Sequence, residues 1–536
     1  YDLFRSKTSF NIPITENLAL RAVYLYKERD GFVDNDGPGR DFMDGKDEGG
    51  KLDFLWEPNE AWSVRYVCDY SRSEFVSPTF QVTEATELTD SLFEIPFSRD
   101  RLDSLATKDQ MRPSDSSIDG HALTITRDWD RHTFKSITSY REFEYYEFSN
   151  LESGSASELL YLNGNRGIEL TGERGSLLQD QFSQEFQFQG SAGATFDYVT
   201  GFYYFKEEAD RDFAQASLVL VPQPGEINNV DVENEAWAIY AQSNWTPNVL
   251  DSRFTLTTGI RYTEDDRYAA RALTVVPDLD DRSFDAEPED DFSNVSYTLV
   301  GSWAFNDDIN GYLKLATGYK SGGYNIRASN EASYVRGFDE ETITTLELGL
   351  KSELWDRRVR LNAAIYYSLW EDMQLNLADT STPADVRDTN VINAGESEIN
   401  GLELDITAIL TEGLTLSASY AYLDTEFTEV DAPDNPEVSE DDFVFSNAPE
   451  HQYTLGLNYY RPLNFGGLTA SLNYYWVDDR FDTQKKAEAE DGSTVIDSYG
   501  LLGAFLGVSE IELGAAGSLD INLWGRNLTD EEYFTS

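Results

Sequence analysis

A single cysteine, Cys68, stands in 536 residues, which excludes an internal disulfide and a thiolate-bound metal cluster. No apolar run reaches eighteen residues, so a transmembrane helix is excluded. Positive charge is scarce: 41 lysines and arginines stand against 98 aspartates and glutamates, a net charge of −57. That balance rules against nucleic acid and against unaided docking on anionic lipid. It suits cationic partners, divalent ions or a salty exterior. HExxH, GxSxG, a phosphate-cradling glycine loop and CxxC are all missing, so no enzyme is expected. The chain opens at Tyr1 without initiator methionine or signal peptide, a start that reads as mature, trimmed or incomplete.

Apolar content is nonetheless substantial, 40% hydrophobic and 13% aromatic, which argues for a folded chain. Its pattern has period two. In RFTLTTGIRY, Phe254, Leu256, Ile260 and Tyr262 share one face, while Arg253, Thr255, Thr257 and Arg261 take the other. YTLGLNYY, LTASLNYYW, LTLSASYAY and RVRLNAAIYY repeat the alternation, the mark of half-buried strands. About twenty such segments follow one another, most of roughly nine residues or more, the length that crosses a bilayer when tilted.

The connections alternate in length. Short turns fall at 15–17, 58–60, 130–131, 306–309, 355–357 and 411–413. Long connections fall at 30–48, 71–119, 149–180, 269–290, 322–341, 375–392, 428–449 and 479–495. Outer-membrane barrels have this asymmetry, with short periplasmic turns and long extracellular loops; soluble sandwiches and propellers do not keep so strict a rhythm. The expected fold is an all-β transmembrane antiparallel β-barrel of the bacterial outer membrane. Trp56 with Trp62, Tyr145 with Tyr146, Tyr203 with Tyr204, and residues 474–476 read as interfacial aromatic girdles. The inner face then carries Arg261, Lys314, Glu347, Lys351, Arg358 and Arg360, because charge facing lipid costs about 2–4 kcal/mol at the midplane. With short turns placed on the periplasmic side, both chain ends fall outside the cell. One further strand at each end restores periplasmic termini and raises the count from about twenty to about twenty-two, as in plugged transporters. The expectation is an internal portion of a longer protein.

Several stretches resemble TonB-dependent receptors of the iron-complex or siderophore type: YLKLATGYKSGGYN, TTLELGLKSELWDRRVRLNAAIYY, NAGESEINGLELD, DQFSQEFQFQG and the closing NLTDEEYFTS. The resemblance covers essentially the whole chain, residues 1–536, as the barrel portion. It implies a 22-stranded barrel whose N-terminal plug blocks the pore and carries a segment pulled by the inner-membrane TonB complex. On that pattern, the plug, the first strand and the last strand are expected to lie outside this sequence. Implied partners are the TonB complex through the plug, outer-membrane lipid and lipopolysaccharide, and a small-molecule ligand such as a ferric siderophore; nucleic acid is not one.

For ligand contact, the loop entered by YKSGGYN offers Lys320, Tyr324, Asn325 and Arg327. Two cations with an aromatic ring and an amide suit an anionic, aromatic iron chelate. The competing reading pairs the lysines with neighbouring carboxylates and leaves the glycines to shape the loop. His121 and His132 flank one expected hairpin, where a metal pair competes with ordinary strand-end roles. Residues 34–48, 278–291 and 437–442 are acidic and are candidate Ca2+ sites, although none has EF-hand spacing; a solvated, repulsive surface is the plainer account. No other cofactor is expected. The functional expectation is an importer of a large scarce solute, a ferric siderophore first, with glycan, cobalamin or an aromatic compound as alternatives. A passive porin and a surface-anchoring barrel are the competing classes.

Overall fold

In the computed structural model, twenty long strands make one antiparallel sheet. They are β1 (Phe4–Thr15), β2 (Leu18–Arg29), β3 (Gly45–Asn59), β4 (Trp62–Phe75), β5 (Ser114–Trp129), β6 (His132–Ser149) and β7 (Glu173–Ser191). Next come β8 (Phe196–Gln215), β9 (Gly225–Trp245), β10 (Phe254–Val276), β11 (Glu289–Asn306), β12 (Ile309–Lys320), β13 (Glu341–Leu354) and β14 (Val359–Ala378). The series ends with β15 (Thr389–Thr411), β16 (Leu414–Val430), β17 (His451–Leu463), β18 (Gly466–Val477), β19 (Tyr499–Glu512) and β20 (Ser518–Gly525). The structure describes residues 2–78, 101–105, 112–149, 173–215, 218–219, 221–222, 225–276, 282–328, 330–378, 389–430, 439–482, 484, 494–514 and 517–534.

Each strand pairs with its neighbour in the chain, the up-and-down order of an outer-membrane barrel. Among the described residues no ladder joins β1 to β20, and β1 is exposed at every position. Connections leaving odd-numbered strands are short and those leaving even-numbered strands are long, as the sequence rhythm predicts. The tight turns have steric requirements. Gly413 has φ 78°, and a Cβ there would stand 2.1 Å from the Tyr460 carbonyl oxygen.

The apolar faces are turned outward. Ile260, Leu348 and Ile365 are 57%, 53% and 53% exposed, as a lipid-facing surface must be. Trp56, Trp129, Trp245 and Trp355 stand exposed near the short-turn end, where aromatic residues meet the membrane interface. The adjacent pairs correct the girdle expectation. Successive side chains point to opposite faces, so Tyr146 is exposed while Tyr203 lies beneath Arg261 on the inner face, 5.7 Å from its guanidinium.

The charges expected on the inner face stand there with one exception. Lys314 meets Glu347 at 3.3 Å and Arg360 meets Glu353 at 3.7 Å. Arg358 is the exception: it lies in the turn after β13, where its Nη2 donates to the Ile409 and Leu410 carbonyls at 3.0 Å each. Three inner tyrosines lie across a glycine on the next strand: Tyr240 over Gly201, Tyr312 over Gly349 and Tyr366 over Gly401. The missing Cβ gives each ring a flat seat. Arg261 sits 5.9 Å from the Tyr240 ring and Lys351 5.6 Å from the Tyr312 ring.

The strands run further than alternation suggests, β10 and β15 reaching 23 residues each. Segments expected as loop, such as 269–276 and 389–392, are strand. Beyond the bilayer a strand needs no apolar face, so the ladder continues while the period-two signal fades. Buried hydrophobic clusters form out there. Phe42, Val76 and Phe148 make one, Met373, Leu375, Phe427 and Phe443 another, and Ala269, Ala328 and Tyr334 a third. Each fixes a long connection onto strand ends.

Candidate functional site

The loop between β12 and β13 carries the four residues selected from sequence. It is folded back by a short helix, α1 (Glu331–Arg336), whose N-terminus is capped by the Asn330 side chain accepting from Ser333 N at 2.9 Å. Tyr334 on α1 is fully buried; its ring lies 5.6 Å from Phe284 and its hydroxyl donates to the Ala269 carbonyl at 3.1 Å. Burial pushes this phenol up to about 12. Beneath it Arg271, 2% exposed, donates to Asn228 Oδ1 from Nε and Nη2 at 3.0 and 2.7 Å, and to the Ala328 carbonyl at 2.5 Å. The glycines of SGGYN close the base of the loop. Gly323 and Phe338 exchange two backbone bonds of 2.9 Å, and a Cβ on Gly322 would stand 2.1 Å from the Phe338 carbonyl oxygen.

Within this frame the four candidates separate. Lys320 Nζ is 3.4 Å from the buried Glu341 carboxylate, with 65% of its side chain still exposed. Tyr324 packs its ring 6.1 Å from Tyr334, and burial, with Asp290 and Glu289 nearby, raises its phenol above the ordinary tyrosine range. Asn325 Oδ1 accepts from the Arg327 backbone N–H at 2.9 Å. The Arg327 side chain is exposed. Tyr324 and Asn325 thus help to build the loop, and Lys320 and Arg327 present cationic heads at its surface.

The two histidines weighed as a metal pair against ordinary strand-end roles do not meet. On the β5–β6 hairpin His132 faces Trp129, and His121 lies eight residues further along β5, about 25 Å away at the strand rise. Each histidine instead bonds a tyrosine hydroxyl through Nδ1: His121 with Tyr66 at 2.8 Å, His132 with Tyr198 at 3.1 Å and His451 with Tyr420 at 3.0 Å. Among the described residues no group of three or more His, Cys, Asp or Glu side chains is arranged to hold a metal. Of the acidic stretches, residues 278–281 and 437–438 lie outside the described residues.

A second feature of the long-loop end escaped the sequence. On the inner face of β14–β19 a cavity of about 390 Å³ is lined by Tyr366, Glu403, Tyr422, Tyr475, Arg480 and Tyr499, among others. Arg480 follows β18 in a two-residue strand paired with Val495–Ile496. These residues come from six separate strands, and no local pattern joins them.

The family described as TonB dependent receptor-like, beta-barrel, matches residues 72–528. The chain belongs to this family. It is therefore an outer-membrane β-barrel of a Gram-negative bacterium, and its long-loop end is the extracellular one. The ferric yersiniabactin uptake receptor FyuA from Yersinia pestis has a TM-score of 0.77 at 19% identity, over 99% of this chain and 73% of that one. The siderophore receptor PiuA from Acinetobacter baumannii gives 0.72 at 15%, over 99% and 76%. In sequence, the pesticin receptor of Yersinia pestis is 28% identical over 194 residues, 36% of this chain. The probable TonB-dependent siderophore receptor PiuA of Acinetobacter baumannii is 30% identical over 115 residues, 22% of this chain. The matched stretches span 26% and 14% of those two relatives' lengths. In this receptor barrel, the β12–β13 loop and the Arg480 cavity both lie towards the cell exterior.

Proposed function

We propose that the full-length receptor actively imports a large, scarce solute, a ferric siderophore, with a plug in the lumen coupling entry to the TonB complex. The observation that carries this is the family match over residues 72–528. An inner wall of charge pairs and seated tyrosines supports it, being a polar, hydrogen-bonding surface suited to a polar occupant. The protein does no covalent chemistry in this account; it binds outside and releases inside. Exposed Lys320 and Arg327 are proposed to meet the anionic chelate first, through charge-assisted hydrogen bonds.

The test is uptake of radio-iron chelates by cells lacking and regaining the gene. Restoration that a protonophore abolishes is expected. Unaltered iron uptake together with restored growth on a glycan, a cobalamin or an aromatic compound would replace the substrate class. A steady open conductance of the purified receptor in planar bilayers would replace active import with passive diffusion.

A further inference from the structure

Resting on the reading that solute is bound at the extracellular end, we propose that the Arg480 cavity takes an aromatic carboxylate group of the solute. Among the described residues, Arg480 Nη1 is the one buried side-chain polar atom without a hydrogen-bond partner. Other inner-face arginines are matched: Arg65 meets Asp53 at 2.6 Å and Arg141 meets Asp69 at 3.1 Å. A shielded, unpaired guanidinium N–H is costly to leave so, and an arriving anion removes that cost by accepting the bond.

The walls define the rest of the ligand. One side of the guanidinium stands 5.8 Å from the Tyr499 ring, and Tyr499 is itself stacked on Tyr533 at 4.1 Å and 20°. That stack holds the ring which flanks the cation. Tyr366 and Tyr475 add further aromatic surface, which a bare inorganic anion would leave unused. A benzene ring occupies a cavity of about 150 Å³, so 390 Å³ admits a substituted ring. Glu403 supplies one negative charge to the same lining, which admits a monoanion and repels a polyanion. A carboxylate coplanar with its ring fits the planar fork of arginine. The backbone that carries Arg480 is fixed before the ligand arrives. Residues 480–481 pair with 495–496, and the Phe481 carbonyl accepts from Asn447 N at 2.8 Å.

The experiment is calorimetric titration of the purified full-length receptor with benzoate, with benzyl alcohol and inorganic phosphate as controls. Saturable benzoate binding is expected, with neither control competing. Arg480→Gln should weaken it about 10-fold or more, as loss of a charge-assisted bond does, and Arg357→Gln, in a short turn at the opposite end of the barrel, should leave it unchanged. Glu403→Gln, which keeps the arginine and its packing, should tighten benzoate. Absence of saturable binding, as when a carboxylate of the receptor itself fills the cavity, would overturn the proposal. Equal affinity in native and Arg480→Gln protein, or competition by phosphate as strong as benzoate's own binding, would do the same. Benzoate titration needs neither TonB nor transport. Loss of the importer role with benzoate binding intact would sink only the functional reading, and the reverse result would sink only this one.

Discussion

Tyr334 is the buried side chain at the centre of the β12–β13 loop. Its ring fills the space between Phe284 and Tyr324, and its hydroxyl satisfies the Ala269 carbonyl. Cutting a buried aromatic ring to alanine costs about 3–5 kcal/mol, and a six-residue helix has no stability of its own to set against that. Tyr334→Ala is therefore expected to release residues 321–340 while the barrel stays folded, and Tyr334→Phe to cost only about 0.5–1.5 kcal/mol for the lost bond. Hydrogen exchange of that segment reads both, with barrel folding followed by heat-modifiable gel migration. The pH dependence has a definite sign. The docked loop keeps the phenol protonated up to about 12, whereas a released tyrosine ionises near 10. Docking is thus at full strength below pH 10 and is lost as the pH rises through 12. Slow exchange surviving in Tyr334→Ala would show that other contacts hold the loop.

On β13, neighbouring residues meet different worlds. Leu348, midway along the strand, is 53% exposed on the lipid side, and Gly349 seats the Tyr312 ring on the inner side, where an added Cβ would come within 2.1 Å of Tyr312 Cζ. Leu348→Arg should cost about 2–4 kcal/mol through burial of charge in hydrocarbon. Gly349→Ala should cost about 1–3 kcal/mol through overpacking, and should also break the 2.6 Å bond from Tyr312 to Glu347. Equilibrium unfolding in lipid vesicles distinguishes them, because only the Leu348→Arg penalty depends on bilayer depth; equal costs near the interface and at the midplane would refute the assignment of faces. This two-faced logic is also why the membrane-spanning part was legible from sequence. Alternation at Ile260, Leu313 and Leu348 is imposed by lipid on one side and charge on the other. Outside the bilayer that constraint lapses, so the outer ends of β10 and β15 read as loop, and Leu375 and Phe427 gave no hint of the core they form with Phe443. The Lys320–Arg327 stretch was found because its glycines and cations are contiguous. The Arg480 cavity was not, because its lining is contiguous only in space.

Across the whole receptor, 98 acidic residues against 41 basic ones leave a net charge of −57. The basic residues on the inner wall are largely engaged with carboxylates, as at Lys314–Glu347, Arg65–Asp53 and Arg141–Asp69, so much of the surplus falls on the extracellular connections. Like charges held in one layer repel, and the repulsion reaches about 30 Å at 0.01 M salt against about 8 Å at 0.15 M. The folded receptor in micelles should therefore melt at a higher temperature in 0.15 M than in 0.01 M sodium chloride, with the gain coming smoothly. Screening depends on ionic strength, so calcium chloride at matched ionic strength and sodium chloride should then raise the melting temperature alike. A specific cation site in residues 34–48, 278–291 or 437–442 would behave otherwise: stability would rise in a saturable step at low calcium and fall back on adding chelator, at constant ionic strength. No salt dependence at all would mean that the acidic surplus is already neutralised within the fold, and the account of the loops as a repulsive, solvated layer would fail.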